Sequence, residues 1–123
     1  MKISGTSLAL FALGLGLAVT AAAADVAGKW TATFDTQIGE QRYTYEFKTD
    51  GDKFTGTAKS NLGQSVIQDG LVKSDEVSFV EMLDFEGQTL RIEYRGKISG
   101  DEMRLTRHVG DVATEELVAK RVQ

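Results

Sequence analysis

The chain has 123 residues, with 18 acidic and 14 basic side chains that give a net charge of −4 at pH 7, and it contains neither cysteine nor proline. Without cysteine there can be no disulfide and no thiolate chemistry. The acidic balance argues against nucleic acid or an anionic membrane surface as a partner, because both require a cationic patch.

Residues 1–24 have the pattern of a secretory signal peptide. Lys2 gives a positively charged start, an apolar stretch covers residues 8–19, and the run Ala22-Ala23-Ala24 provides a small-residue cleavage site. The apolar stretch is too short to span a membrane comfortably. We therefore expect an exported protein, periplasmic or extracellular and without a membrane span, in which residues 25–123 form one domain.

Alternation of apolar and polar residues dominates the chain from residue 29 onward, as it does in half-buried strands. It places Trp30 on the apolar face of the first run and Tyr43 and Tyr45 on that of the second. The connections are too short for crossover helices. The sequence thus predicts an all-β fold, a single eight-stranded antiparallel up-and-down β-barrel, with strands at 29–35, 41–49, 53–59, 65–73, 76–83, 89–98, 102–108 and 113–122.

Two features of the second half bear on this assignment. The segments "GLVKSDEVSF" (70–79) and "GKISGDEMRL" (96–105) align without gaps, which indicates a recurring hairpin whose Asp-Glu pairs belong to tight turns. Residues 113–122 also contain good helix formers. A closed barrel needs a last strand to pair with the first, so we predict a strand there.

The segment around the lone tryptophan resembles a motif of a known group of proteins. Gly28-Lys29-Trp30 is similar to the G-x-W of the first strand in the calycins, the lipocalin-like and avidin-like barrels. In that group an Arg or Lys on the last strand packs over the Trp and closes one end of the barrel. The resemblance implies that Arg121 has this role toward Trp30, and a guanidinium over an indole face contributes ~0.5–2 kcal/mol.

A broader resemblance covers nearly all of residues 25–123. The string "DGDKFTGTAKS…DGLVKSDEVSF…EYRGKISGDEMRLTR…AKRV" resembles a small secreted bacterial domain. This domain occurs alone or attached to exported glycoside hydrolases, including proteins labelled as xylanases. The resemblance implies a polysaccharide-related setting, and it carries over no catalytic residue.

Four side chains are candidates for binding a ligand inside the barrel. Glu81 and Arg107 are in phase with apolar residues of their strands, and would form a buried ion pair or a polar anchor. Tyr43 and Tyr45 offer rings with polar tips, which suit amphipathic or saccharide ligands. The alternatives are that a bulge turns a charge outward, and that the tyrosines are ordinary core packing.

The sequence offers little for metal or cofactor chemistry. His108 is the only histidine, and one histidine without cysteine does not make a typical transition-metal site. The Asp50-Gly51-Asp52 turn lacks the further carboxylates of a calcium loop. We predict no metal and no cofactor.

Three functions remain open. The favoured one is a binding barrel for a small amphipathic or saccharide ligand. The second is a glycoside hydrolase or its accessory module, with Glu81 and either Asp84 or Glu86 as the paired carboxylates. The third is a non-catalytic module that docks a protein or a second copy of itself through exposed apolar residues of the outer face: Val66, Val80 and Met82.

Overall fold

The structure, a computed structural model, describes residues 24–123, so the predicted signal peptide lies outside the described residues except for Ala24. The fold consists of eight strands joined by short turns. They are β1 (Gly28–Thr36), β2 (Gly39–Asp50), β3 (Lys53–Ser60), β4 (Gly63–Lys73), β5 (Glu76–Phe85), β6 (Gln88–Ser99), β7 (Glu102–Val109) and β8 (Ala113–Arg121).

The strands form one closed antiparallel barrel in sequence order. Every strand pairs with the next one along the chain, and β8 pairs with β1 to complete the circle. The predicted all-β, eight-stranded architecture is confirmed, and residues 113–121 form a strand rather than a helix. Residues 24–123 contain no helix long and apolar enough to cross a membrane.

The core is built from the alternate residues that point inward from each strand. The largest fully buried side chains include Trp30, Tyr45, Phe79 and Tyr94. The rings of Phe79 and Tyr94 stack with their centroids 4.3 Å apart. A continuous aromatic cluster therefore occupies the middle of the barrel, and side chains fill this part of the interior, as expected for eight strands.

Two glycines allow neighbouring strands to approach closely. A Cβ on Gly96 would lie 1.9 Å from the carbonyl oxygen of Arg104, and one on Gly56 would lie 1.9 Å from that of Glu46. No side chain fits at such distances, so both positions require glycine. Gly96 aligns with Gly70 in the sequence repeat, and a Cβ on Gly70 would lie 2.5 Å from the Phe54 ring. The repeated glycine thus permits a close approach in both copies, to the following strand at Gly96 and to the preceding strand at Gly70.

The barrel has two different ends. The turns after β2, β4 and β6 share one end with the segment that precedes β1, and this segment covers the opening with the fully buried Val26. The turns after β1, β3, β5 and β7 surround the other end, which we call the mouth. Ile38 and Val112 are the exposed apolar residues at its rim.

The junction between the first and last strands is paired near the closed end. The paired residues are Trp30 with Arg121 and Thr31 with Lys120, whereas every other pair of neighbouring strands has at least six paired positions. Toward the mouth, β1 and β8 continue but have no further paired positions among the described residues. Closure of the barrel therefore depends on contacts around Arg121.

Candidate functional site

The closed end is organised by Arg121 on β8. Its guanidinium carbon lies 4.3 Å from the centroid of the Trp30 ring, while its nitrogens donate to the carbonyl oxygens of Ala27 and Asp25, both at 2.7 Å. The indole nitrogen of Trp30 donates to the carbonyl oxygen of Val26 at 2.9 Å. Arg121 and Trp30 together hold the segment before β1 across this end of the barrel.

In the interior, Glu81 on β5 accepts hydrogen bonds at both carboxylate oxygens. Tyr43 and Ser65 donate to Oε2 at 2.9 and 2.6 Å, and Tyr94 donates to Oε1 at 2.7 Å. The side chain is fully buried. A bulge does not turn Glu81 outward, because its inward direction is fixed by partners from three strands.

Arg107 on β7 connects this cluster to a second carboxylate. Its Nε donates to the Tyr94 hydroxyl and its Nη2 to the Tyr43 hydroxyl, each at 2.9 Å. Nη2 also lies 3.7 Å from Glu81 Oε1. Its Nη1 donates to Oε1 of Glu115, the residue directly opposite on β8. One buried guanidinium thus joins two buried carboxylates.

Tyr45 completes the network from β2. Its hydroxyl lies 3.0 Å from that of Tyr94. Because the Tyr94 proton is directed to Glu81, Tyr45 is the donor in this pair. All three tyrosines of the chain therefore belong to one hydrogen-bonded cluster.

The electrostatics of the network follow from its burial. Loss of solvation, and secondly the charge of Glu81, raises the pKa of Tyr43 and of Tyr45 well above the ordinary value of 10.0. Burial also raises the pKa of Tyr94. The tyrosines are neutral donors at neutral pH.

The guanidinium of Arg107 is held in its charged form. Burial disfavours the charge, but the oxygens of Tyr94, Tyr43 and Glu81 outweigh this effect and raise its pKa above the ordinary value. Three aromatic rings surround the guanidinium carbon, with centroids 5.2 to 5.7 Å away. The cation is fixed in place and oriented by this surrounding structure.

A cavity of about 240 Å³ opens at the mouth. Its walls are mostly aliphatic, and Arg107, Glu115 and Gln41 are its buried polar side chains. The lining consists of Thr36, Gln37, Ile38, Gln41, Leu62, Leu83, Phe85, Leu90, Ile92, Arg107, Val109, Val112, Ala113 and Glu115. The cavity is therefore an apolar recess with a charged floor.

Gln41 is a buried polar residue whose side-chain oxygen lacks a hydrogen-bond partner. It is 2% exposed, and its Oε1 is the only buried side-chain oxygen or nitrogen in residues 24–123 that has no hydrogen-bond partner. Such an atom carries a desolvation cost of about 1–3 kcal/mol. A donor in the cavity would remove that cost once the amide rotates to present this oxygen.

The structure divides the four predicted ligand-binding residues into two layers. Arg107 lines the cavity, and Tyr43, Tyr45 and Glu81 lie behind it and hold it in position. Their binding role remains a prediction. Gln41 and Glu115 were not among the predicted site residues, although each is in phase with inward residues of its strand.

The residues of the two other hypotheses are placed as follows. Asp84 and Glu86 are exposed, and Asp84 accepts a hydrogen bond from Thr89 at 2.8 Å. On the outer face Val66 is 55% exposed. Val80, expected to be exposed, is instead buried: it pairs with Gln68, beside the irregularity between Gln68 and Leu71 in β4. Met82 is half-buried.

Two larger depressions lie on the outer face, with volumes of about 580 and 840 Å³. Their linings include Gly96 and Gly56 and consist largely of the outward, polar side chains of the strands. A ligand there would remain in contact with solvent. The mouth is therefore the better candidate site.

His108 is exposed and its Nδ1 lies 3.2 Å from the Thr114 hydroxyl. Within residues 24–123, no three His, Cys, Asp or Glu side chains are grouped so that they could hold a metal ion.

Comparison with known proteins assigns neither a family nor a function to this chain. No family model matches the chain, and neither a curated protein nor a solved structure matches it at a significant level.

Proposed function

We propose that this protein is an exported, calycin-like barrel whose mouth binds one small amphipathic molecule. The observation that carries the proposal is the apolar cavity with Arg107, Glu115 and Gln41 at its floor. Ligand sites typically combine apolar walls with a few fixed polar groups that orient the bound molecule. The volume of about 240 Å³ lies below the ~300–1,000 Å³ of sites for drug-sized ligands, so the ligand is small.

The lining favours an alkyl-bearing ligand over a saccharide. Among residues 24–123, Phe85 is the only aromatic side chain that lines the cavity, and sugars are best matched by aromatic faces and many hydrogen-bonding groups. The rings of Tyr43 and Tyr45 lie in the layer behind Arg107. A saccharide ligand thus becomes an outcome of the binding test.

Export and the calycin-like type are part of the same proposal. Export is supported by the pattern of residues 1–24. The calycin-like type is supported by the Trp30–Arg121 contact at the closed end of an eight-stranded barrel. The polysaccharide-related setting is retained on the sequence resemblance.

Glycoside hydrolysis is not favoured by any observation. Glu81 is fully buried and accepts three hydrogen bonds, whereas a catalytic acid or base must reach the bond that is cleaved. The docking hypothesis is weakened because Val80, one of its three proposed surface residues, is buried. Neither alternative is proposed further.

Calorimetric titration of the purified protein with hexanol, hexylamine, hexanoate and xylose tests the proposal. We expect one-to-one binding of at least one six-carbon alkyl compound and none of xylose. Ala113→Phe places a ring at the mouth and should abolish binding. Thr33→Phe adds the same ring on the exposed outer face of β1 and should leave binding unchanged. No binding of any alkyl compound, or equal binding by both variants, would overturn the proposal.

A further inference from the structure

We infer that the ligand's polar end is a protonated amine, bound at the floor of the cavity by Glu115 and by the amide oxygen of Gln41. The inference rests on the proposed function and specifies the chemical class of the ligand. It follows from three properties of the floor: its charge, the protein partners of Arg107 and an acceptor without a partner.

The floor has one more negative charge than positive charge. Arg107 contacts both Glu81 and Glu115, and all three side chains are almost fully buried. No other Lys or Arg among residues 24–123 lines the cavity. Because buried charges are costly unless they are balanced, the site is completed by a ligand that brings one positive charge.

Each nitrogen of the Arg107 guanidinium already has a protein partner, although not every N–H is used. Each of the three guanidinium nitrogens of Arg107 donates to a protein oxygen, on Tyr94, Tyr43 or Glu115. An anionic head group would have to displace Glu115 or lie against its charge. Attraction to Arg107 alone therefore does not create an anion site.

The floor also holds an acceptor that has no partner. Gln41 Oε1 is enclosed, has no partner in the described part of the chain and belongs to a side chain that lines the cavity, so rotation of the amide presents this oxygen to a ligand. Glu115 donates nothing when ionised and accepts the Arg107 bond through Oε1. An alkylammonium has three donors and no acceptor, so it satisfies Gln41 and Glu115 together while its chain lies against the aliphatic wall.

The test compares three ligands of equal chain length whose head groups are positive, neutral and negative. In calorimetric titrations of the wild-type protein we expect hexylamine to bind at least about tenfold more tightly than hexanol, and hexanoate to bind most weakly. Glu115→Gln keeps an oxygen for Arg107 and removes the charge. In this variant hexylamine should bind no more tightly than hexanol.

A matched control distinguishes the effect of the Glu115 charge at the floor from the effect of the protein's overall negative charge. Glu116→Gln removes the same charge one residue away on the exposed outer face of β8 and should leave the amine preference unchanged. If hexanol or hexanoate binds as tightly as hexylamine, or if both variants lose the preference equally, the inference is wrong and the binding function stands. If none of the three ligands binds, the proposed function itself fails.

Discussion

Arg107 Nη2 lies 3.7 Å from Glu81 Oε1, and the two side chains are 5% and 0% exposed. They come from β7 and β5 and meet in the interior between the aromatic core and the mouth cavity. The pair forms the base on which the cavity floor rests, so it links the stability of the barrel to the geometry of the candidate site.

Removing the cation should strongly destabilise the protein. Arg107→Met leaves Glu81 and Glu115 as buried carboxylates without their shared partner, and breaking a buried ion pair in this way costs about 3–5 kcal/mol. Urea denaturation followed by Trp30 fluorescence measures the change in the free energy of unfolding. A loss below about 1 kcal/mol would mean that the network contributes little to the fold.

The three tyrosines should not ionise in the folded protein near their ordinary pKa of 10.0, because burial raises the pKa of each. The native state then holds protons that the unfolded state releases, so stability is complete below about pH 10 and falls as pH rises further. Tyrosinate absorbance should appear together with the loss of far-ultraviolet circular dichroism. A separate absorbance step near pH 10, with the circular dichroism intact, would contradict this.

Arg121 should contribute more to stability than an exposed arginine. Arg121→Ala removes the contact with Trp30 and the bonds to Asp25 and Ala27, and we expect a loss of about 2–3 kcal/mol. Arg104→Ala, whose side chain is 75% exposed, is the control and should cost less than about 1 kcal/mol. Equal losses in denaturant titrations would show that the closed end does not depend on Arg121.

Gly96 should not tolerate a side chain. Gly96→Ala places a Cβ 1.9 Å from the Arg104 carbonyl oxygen, and the strands must separate to admit it. Gly87→Ala, at a turn with a φ of +80° and open space around it, costs only the backbone strain of about 1–2 kcal/mol. Comparison of the two thermal midpoints should give the larger drop for Gly96→Ala, and the opposite order would be inconsistent with the close approach of β6 and β7.

The Gln41 side chain should strengthen the binding of hexylamine and lower the free energy of unfolding of the protein. Replacing it with leucine removes a buried acceptor that has no partner, so Gln41→Leu should leave the free energy of unfolding unchanged or raise it by about 1 kcal/mol. The same variant should weaken the binding of hexylamine. A clear loss of stability would mean that the Gln41 amide is satisfied in the folded protein.

Much of the fold could be predicted because period-two alternation depends only on which face of a strand is buried. This pattern placed Glu81 and Arg107 inside and located all eight strands to within a few residues. The observed strands β2 and β8 also place Gln41 and Glu115 inward, but both residues lie at or near strand ends, where alternation is short. Both lie inside the predicted strands 41–49 and 113–122, but a polar residue near a strand end is usually exposed, so neither was predicted to line the interior.

The rest depends on the pairing register, which the sequence pattern does not contain. Arg107 meets Glu115 because the two are directly opposite in the β7–β8 ladder. Val80 is buried where the neighbouring β4 is irregular, between Gln68 and Leu71. The sequence of β5 itself contains no indication of that irregularity. The unpaired oxygen of Gln41 could likewise be recognised only once the surrounding strands were in place.

Methyl chemical shifts under hexylamine titration would test the central claim, that the mouth binds a small amphipathic molecule, most directly. We expect saturable shifts at Leu83, Leu90 and Val109, which line the cavity, and none at Val66 on the outer face. Unchanged shifts at the mouth, or non-saturating shifts of equal size at Val66, would contradict the account.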